Sequence, residues 1–167
     1  MPSLTQGILS LLGLATAVVS GSCGWKPTVT VTEADSAAIH HAIESTLREM
    51  IAGAHALNPD RLRAEYVEQP VVAINGQIIE HYDRDQFPEI RRWLGSLRQF
   101  DATYDHVHLQ VLSPGAAVAT MLHHLRWTDT AGVPGEFNSA WTAVFRQVNG
   151  QWKVAYSHES RAVPDGQ

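Results

Sequence analysis

Cysteine is nearly absent from this 167-residue chain, with Cys23 its only one. No internal disulfide can staple the fold, so a packed core has to hold it. Charge is absent from Met1 to Ser22, which contain no Asp, Glu, Lys or Arg. Long basic runs are absent everywhere. The 12 Lys and Arg residues lie scattered among 17 Asp and Glu, giving a net charge of −5 with His neutral. That balance lacks the electrostatic footprint of a nucleic-acid binder. Nine histidines are many for this length, yet they form no set at metal-ligand spacing, and no cofactor motif is visible. One long apolar run is present, Ile8–Val19. It is short for a bilayer span, which needs about 20 residues.

That run suits the apolar region of a secretory signal, followed by the small residues "SGSC". Residues 1–22 are therefore expected to be a signal peptide, and the mature protein to be periplasmic or secreted. The alternative is an anchor that is never cut. Cys23 follows directly and is a candidate site of lipid attachment, although Ser20 stands where a lipobox carries Leu. Any contact with a membrane is expected only through this anchor or lipid. Residues 23–32 read as a tether, 33–162 as one domain and 163–167 as a tail.

Within the domain, Ile39, Ile43, Leu47, Met50 and Ile51 make one apolar stripe at helical period. Thr32 stands ready to cap it, Glu33 and Asp35 occupy its first turn, and Gly53 is the expected stop. "NPDRLRAEYVEQ" predicts a shorter helix, with Asn58 as cap and Pro59 in the first turn. Asn75-Gly76 divides two short apolar runs and signals a hairpin. "RDQFPEIRRWLGSL" predicts a third helix from Asp83, interrupted at Pro88. From Asp101 the period changes to two, and Asn149-Gly150 marks a second hairpin. Helices followed by a strand meander predict an α+β domain, with helices on one face of a curved antiparallel sheet.

Three stretches carry a resemblance. "VVAINGQII" is similar to the first hairpin of the SnoaL-like branch of the nuclear transport factor 2-like superfamily. "AWTAVFRQVNGQWKVAYSHES" resembles its last two strands, with Trp152, Val154, His158 and Ser160 on the branch's pattern. The helix after Thr32 matches its long first helix. The resemblance implies a cone-shaped roll, in which a bent sheet wraps around a long N-terminal helix and two shorter helices and leaves an apolar pocket. It also implies pairing into a homodimer through the sheet's outer face, here Val118, Leu122, Thr142 and Val144. Members include ketosteroid isomerase, scytalone dehydratase and kinase association domains, so the fold alone does not fix a chemistry.

Strand alternation places Trp152, Val154, Tyr156, His158 and Ser160 on one face, with Lys153, Ala155, Ser157 and Glu159 solvated on the other. The neighbouring strands offer Phe137, Ser139, Trp141, Ala143 and Phe145, then Ala119, Met121, His123, Leu125 and Trp127. The expected ligand-binding group is therefore Trp127, Trp141, Tyr156, His158 and His123, with Trp152 packing in the core. Two readings stay open. One is an exported pocket domain that binds a small apolar molecule without catalysis. The other is an isomerase, dehydratase or cyclase with His158 or His123 as general base and Tyr156 as donor. No inward carboxylate is evident. Asp83 and Asp85 read as caps, and Glu80 and His81 as rim residues. His106 and His108 share a face that reads as solvated, and His40 edges the helix stripe.

Overall fold

A computed structural model describes residues 30–161. The expected signal segment, Cys23 and the tail after residue 162 lie outside the described residues. The first helix, α1 (Glu33–His55), starts as its sequence dictates. The Thr32 hydroxyl accepts the Asp35 amide at 3.1 Å, and the Asp35 carboxylate accepts the Thr32 amide at 3.2 Å, a reciprocal capping box. Ile39, Ile43, Leu47 and Met50 form its buried stripe. Gly53 is not the stop. The helix runs on to His55, and Gly53 lies buried where the next helix crosses, with any Cβ only 3.2 Å from the Leu62 backbone nitrogen.

That next helix, α2 (Pro59–Ala64), is shorter than its sequence suggests, because Tyr66 already begins strand β1 (Tyr66–Ile74). The Asn58 side chain does cap α2, accepting the Arg61 amide at 3.0 Å. β1 turns at Asn75 and Gly76, both at positive φ, into β2 (Gln77–Ile79). The third expected helix is broken at Gln86 into α3 (Tyr82–Asp85) and α4 (Phe87–Gly95), so the short helices number three among the described residues. Four long antiparallel strands follow: β3 (Leu97–Ser113), β4 (Ala116–Asp129), β5 (Pro134–Val148) and β6 (Gln151–Arg161).

The sheet order is β2-β1-β6-β5-β4-β3. β1 runs parallel to β6, so the curved sheet is mixed and not wholly antiparallel. The α+β roll itself is as the sequence indicates. Its packed core joins Ile43, Leu47 and Met50 of α1 to Ala117, Ala119, Ala143, Phe145, Trp152 and Val154 of the sheet. Trp152 is core, as expected.

Candidate functional site

Alternation holds along β4 and β5. Met121, Leu125, Trp141 and Phe145 are all buried on the inner face. On β6 it fails midway. Phe145 pairs with Val154, but Val144 pairs with Tyr156, leaving Ala155 as an extra residue. Such a β-bulge resets which face each later side chain occupies. Trp152 and Val154 point inward before it; Ser157 and Glu159 point inward after it. Tyr156 and His158 are turned to the outer face and exposed. The expected placement of Tyr156 and His158 in the pocket is thereby corrected. The carboxylate that seemed missing is Glu159, assigned to solvent by uninterrupted alternation.

β3 carries the same device. Asp105 pairs with Leu122 and His108 with Thr120, with His106 at φ +49° in the irregular step. Before the bulge Phe100, Ala102 and Tyr104 face inward; after it Leu109 and Val111 do. Val107, expected in the core, is 43% exposed.

The inner faces and helices enclose a cavity of about 520 Å³. Its aromatic wall is continuous. Trp93 of α4 meets Phe100 edge-on at 5.0 Å and Trp127 at 5.7 Å, and Trp127 meets Phe137 at 6.0 Å. Gly135 lies opposite Trp127 on β5, and a Cβ there would overlap the indole. α1 contributes only Met50, Ile51 and Ala54. Of the five residues expected in the site, His123, Trp127 and Trp141 line this cavity.

Two groups of polar residues stand out, besides Asn75, Gln86 and Glu89 in the lining. Deep on the sheet, His123 lies 4.8 Å from the Tyr104 ring and 6.4 Å from Trp141, with Tyr104 and Trp141 stacked at 5.7 Å. The His123 Nδ1 is buried and has no hydrogen-bond partner in the protein. Burial, helped by the neighbouring His124, pushes the imidazole pKa down to about 4, so the ring is neutral near pH 7. Burial likewise raises the Tyr104 hydroxyl well above its ordinary value. Tyr66 is pushed up to about 12 by burial, opposed by its Ser157 hydrogen bond. At the rim, Arg161 meets Glu159 at 3.2 Å and lies 3.9 Å over the Phe137 ring.

Arg63 lies behind the cavity residue Tyr82, its guanidinium 5.9 Å from that ring. It donates to the carbonyls of Val67 at 2.9 Å and Glu68 at 2.8 Å, and to the Asp83 carboxylate. That guanidinium holds Asp83 below the usual carboxylate range. Asp83 therefore anchors α3 to β1 and is not a cap; His81 takes the cap position. His40 lines a separate groove between α1 and β3, with Glu44 and Arg48. His106 and His108 are exposed, and no cluster of three metal-ligating side chains occurs among the described residues.

Comparison with known proteins agrees with this fold. The model of the SnoaL-like domain matches residues 43–165. A scytalone dehydratase-like protein from Novosphingobium aromaticivorans superposes with a TM-score of 0.71 at 16% identity, covering 79% of this chain and 89% of its own. A nuclear transport factor 2-like protein from Salmonella enterica gives 0.68 at 13% identity, over 78% and 96%. Hexachlorocyclohexane dehydrochlorinase LinA-type3 from Novosphingobium barchaimii gives 0.64 at 12% identity, over 79% and 92%. At these identities the likeness is one of fold. No curated protein matches the chain.

Proposed function

The chain belongs to the SnoaL-like domain family of the nuclear transport factor 2-like superfamily, and from that premise we propose that it is an exported binding protein. It takes one small, largely apolar molecule into the cone cavity, without catalysis, and works as a homodimer. One observation carries this reading: a cavity of about 520 Å³ with a mainly apolar lining rich in aromatic rings. Ligand sites are typically of this size and character. The partners of the candidate base support the non-catalytic part of this reading. α1 brings no carboxylate to the cavity, Glu159 is engaged by Arg161 and Glu89 by Arg92, and His123 with a pKa about 4 is a weak base at neutral pH.

The test is equilibrium dialysis of naphthalene against the purified chain. Saturable binding of one molecule per subunit is expected. Ala102→Trp, which fills the cavity from β3, is expected to abolish it. Absence of saturable binding by the wild-type chain overturns the reading.

A second reading, a proton-transfer enzyme, is favoured by a single feature: the neutral His123 and the protonated Tyr104 share one wall. It demands that the protein speed exchange of the α-protons of 2-tetralone with deuterated water, and that His123→Gln abolish the effect. The binding reading expects exchange at the buffer rate.

The dimer reading is supported by the outer face, where Val118, Thr142, Val144 and the half-exposed Leu122 are joined by Tyr156 and His158. A sedimentation mass of one subunit at micromolar concentration would oppose it. Export and lipid attachment at Cys23 rest on residues 1–23 alone, and native mass spectrometry of the protein from its own host reads both.

A further inference from the structure

The register of the four long strands lines up one row across the inner face. Tyr104 of β3 is paired with His123 of β4, His123 with Ser139 of β5, and Ser139 with Arg161 of β6. Along β4 and β5 the row is fenced on both sides by apolar positions, and on β6 Glu159 stands beside Trp141. Ala102, Leu125 and Phe137 lie toward the aromatic wall. Met121 and Trp141 lie toward the closed core. Two neighbours in this row share an unusual property. The His123 Nδ1 and the Ser139 Oγ are both buried, and neither finds a hydrogen-bond partner within the protein. Ser139 is 5% exposed and stands between Phe137 and Trp141, both of which line the cavity. Buried polar atoms are nearly always paired, so two unpaired ones on neighbouring strands, His123 in the cavity lining and Ser139 directly behind it, call for a specific explanation.

We propose that His123 and Ser139 form a two-point subsite for an uncharged hydroxyl or carbonyl group on an aromatic ligand. This deepens the binding reading above and rests on it. The chemistry of the row sets the ligand class. A neutral imidazole presents one donor and one acceptor nitrogen, and a serine hydroxyl both gives and accepts. Together they match a hydroxyl, which needs one of each, or a carbonyl, which needs donors only. They do not supply a formal charge. An anionic ligand reaching the row would find a neutral His123 and would meet the Glu159 carboxylate beside Arg161, the cation of the lining among the described residues. A cationic one would have to shed its water in an aromatic cavity. The apolar body of the ligand lies along Trp93, Trp127 and Phe137, and its polar end reaches the row.

Three probes of one shape test this: naphthalene, 2-naphthol and 2-naphthoate, measured by equilibrium dialysis against the full-length chain at pH 7.5. The wild-type chain is expected to bind 2-naphthol about tenfold tighter than naphthalene, the equivalent of one net hydrogen bond, and 2-naphthoate at least about tenfold weaker than 2-naphthol. Ser139→Ala removes one atom from a packed position, and His123→Phe keeps the ring shape. Each is expected to cut the ratio of 2-naphthol to naphthalene affinity to about twofold. If His123→Phe fails to fold, Ser139→Ala decides alone. Equal binding of naphthalene and 2-naphthol by wild type overturns the subsite but leaves the cavity reading standing. So does an advantage unchanged in the variants. Tighter binding of 2-naphthoate overturns the uncharged class. Failure of all three probes to bind overturns the cavity reading and the subsite with it.

Discussion

The two ends of the cone are built from the same strands with opposite results. At the closed end, α1 lays Ile43 against Ala117, Ala119 and Ala143, all fully buried. Small side chains on the sheet let the helix seat directly, and Phe145 and Val154 fill what remains. At the open end, the inward positions of the same strands carry Trp127 and Phe137, met by Trp93 from α4. Large rings touching edge to face hold the helix off the sheet and leave a cavity. Inward parity is common to both ends; side-chain volume decides which becomes core and which becomes site.

The largest expected effect separates the ends by volume. Phe145→Ala removes a ring that is 0% exposed, in a region with no slack. It is expected to cost about 3–5 kcal/mol in urea unfolding. Trp127→Ala removes a larger ring that already borders open space, and is expected to cost about 1–2 kcal/mol, because less contact is lost and no closed void is created. Equal losses at the two sites would break the comparison.

The second effect separates the ends by pH. None of the buried residues of the closed core titrates between pH 4 and 7, whereas the open end holds His123. Its folded pKa of about 4 lies below the ordinary 6.5, so the native state disfavours the proton and the unfolded chain accepts it. The stabilisation is therefore complete above pH 6.5 and is lost as pH falls from 6.5 to 4. At about 1.4 kcal/mol per pKa unit the loss is about 3 kcal/mol. Asp83 and Asp35, whose carboxyl groups are held below their ordinary values, lose their own contributions only at lower pH. His123→Phe should flatten the stability curve between pH 4 and 6.5, read by urea unfolding. An unchanged slope would show that the histidine is not buried as a neutral ring.

A smaller effect sharpens the role of the aromatic wall. Gly135 faces Trp127, and a methyl group there overlaps the indole. Gly135→Ala should push the ring toward the cavity, cost about 1–3 kcal/mol, and change the near-ultraviolet circular dichroism of the tryptophans. An unaltered spectrum would mean the wall tolerates movement.

The roll, the long first helix, both Asn-Gly hairpins and the inner faces of β4 and β5 are legible in the residues, because each depends on local period or turn chemistry. Trp127, Trp141 and His123 follow from that. What alternation does not reveal is where it is interrupted. The extra Ala155 carries no sequence mark, yet it sends Tyr156 and His158 outward and brings Glu159 in. Tyr104 was hidden likewise, since the step at His106 separates the phase of Phe100, Ala102 and Tyr104 from that of Leu109 and Val111. Tyr66 and Tyr82 reach the cavity only because β1 pairs parallel to β6 and Arg63 ties α3 to it, and neither long-range event has a local signature.

The smallest expected effect tests that interruption directly. His158 lies on the outer face, opposite Thr142 on β5 and Ala73 on β1, and is exposed. No side-chain hydrogen bond ties it to the described residues within reach of the cavity, and the bulge separates it from the face that carries Val154. His158→Ala should change stability by no more than about 0.5 kcal/mol, the usual range for a surface position. It should leave naphthalene and 2-naphthol binding within about twofold of wild type. His123→Phe, two strands away and across the sheet, should lose the 2-naphthol preference in the same assay. If His158→Ala instead abolishes binding, the face assigned to the end of β6 is reversed, Glu159 returns to solvent, and the polar rim of the open end has to be rebuilt around the histidine.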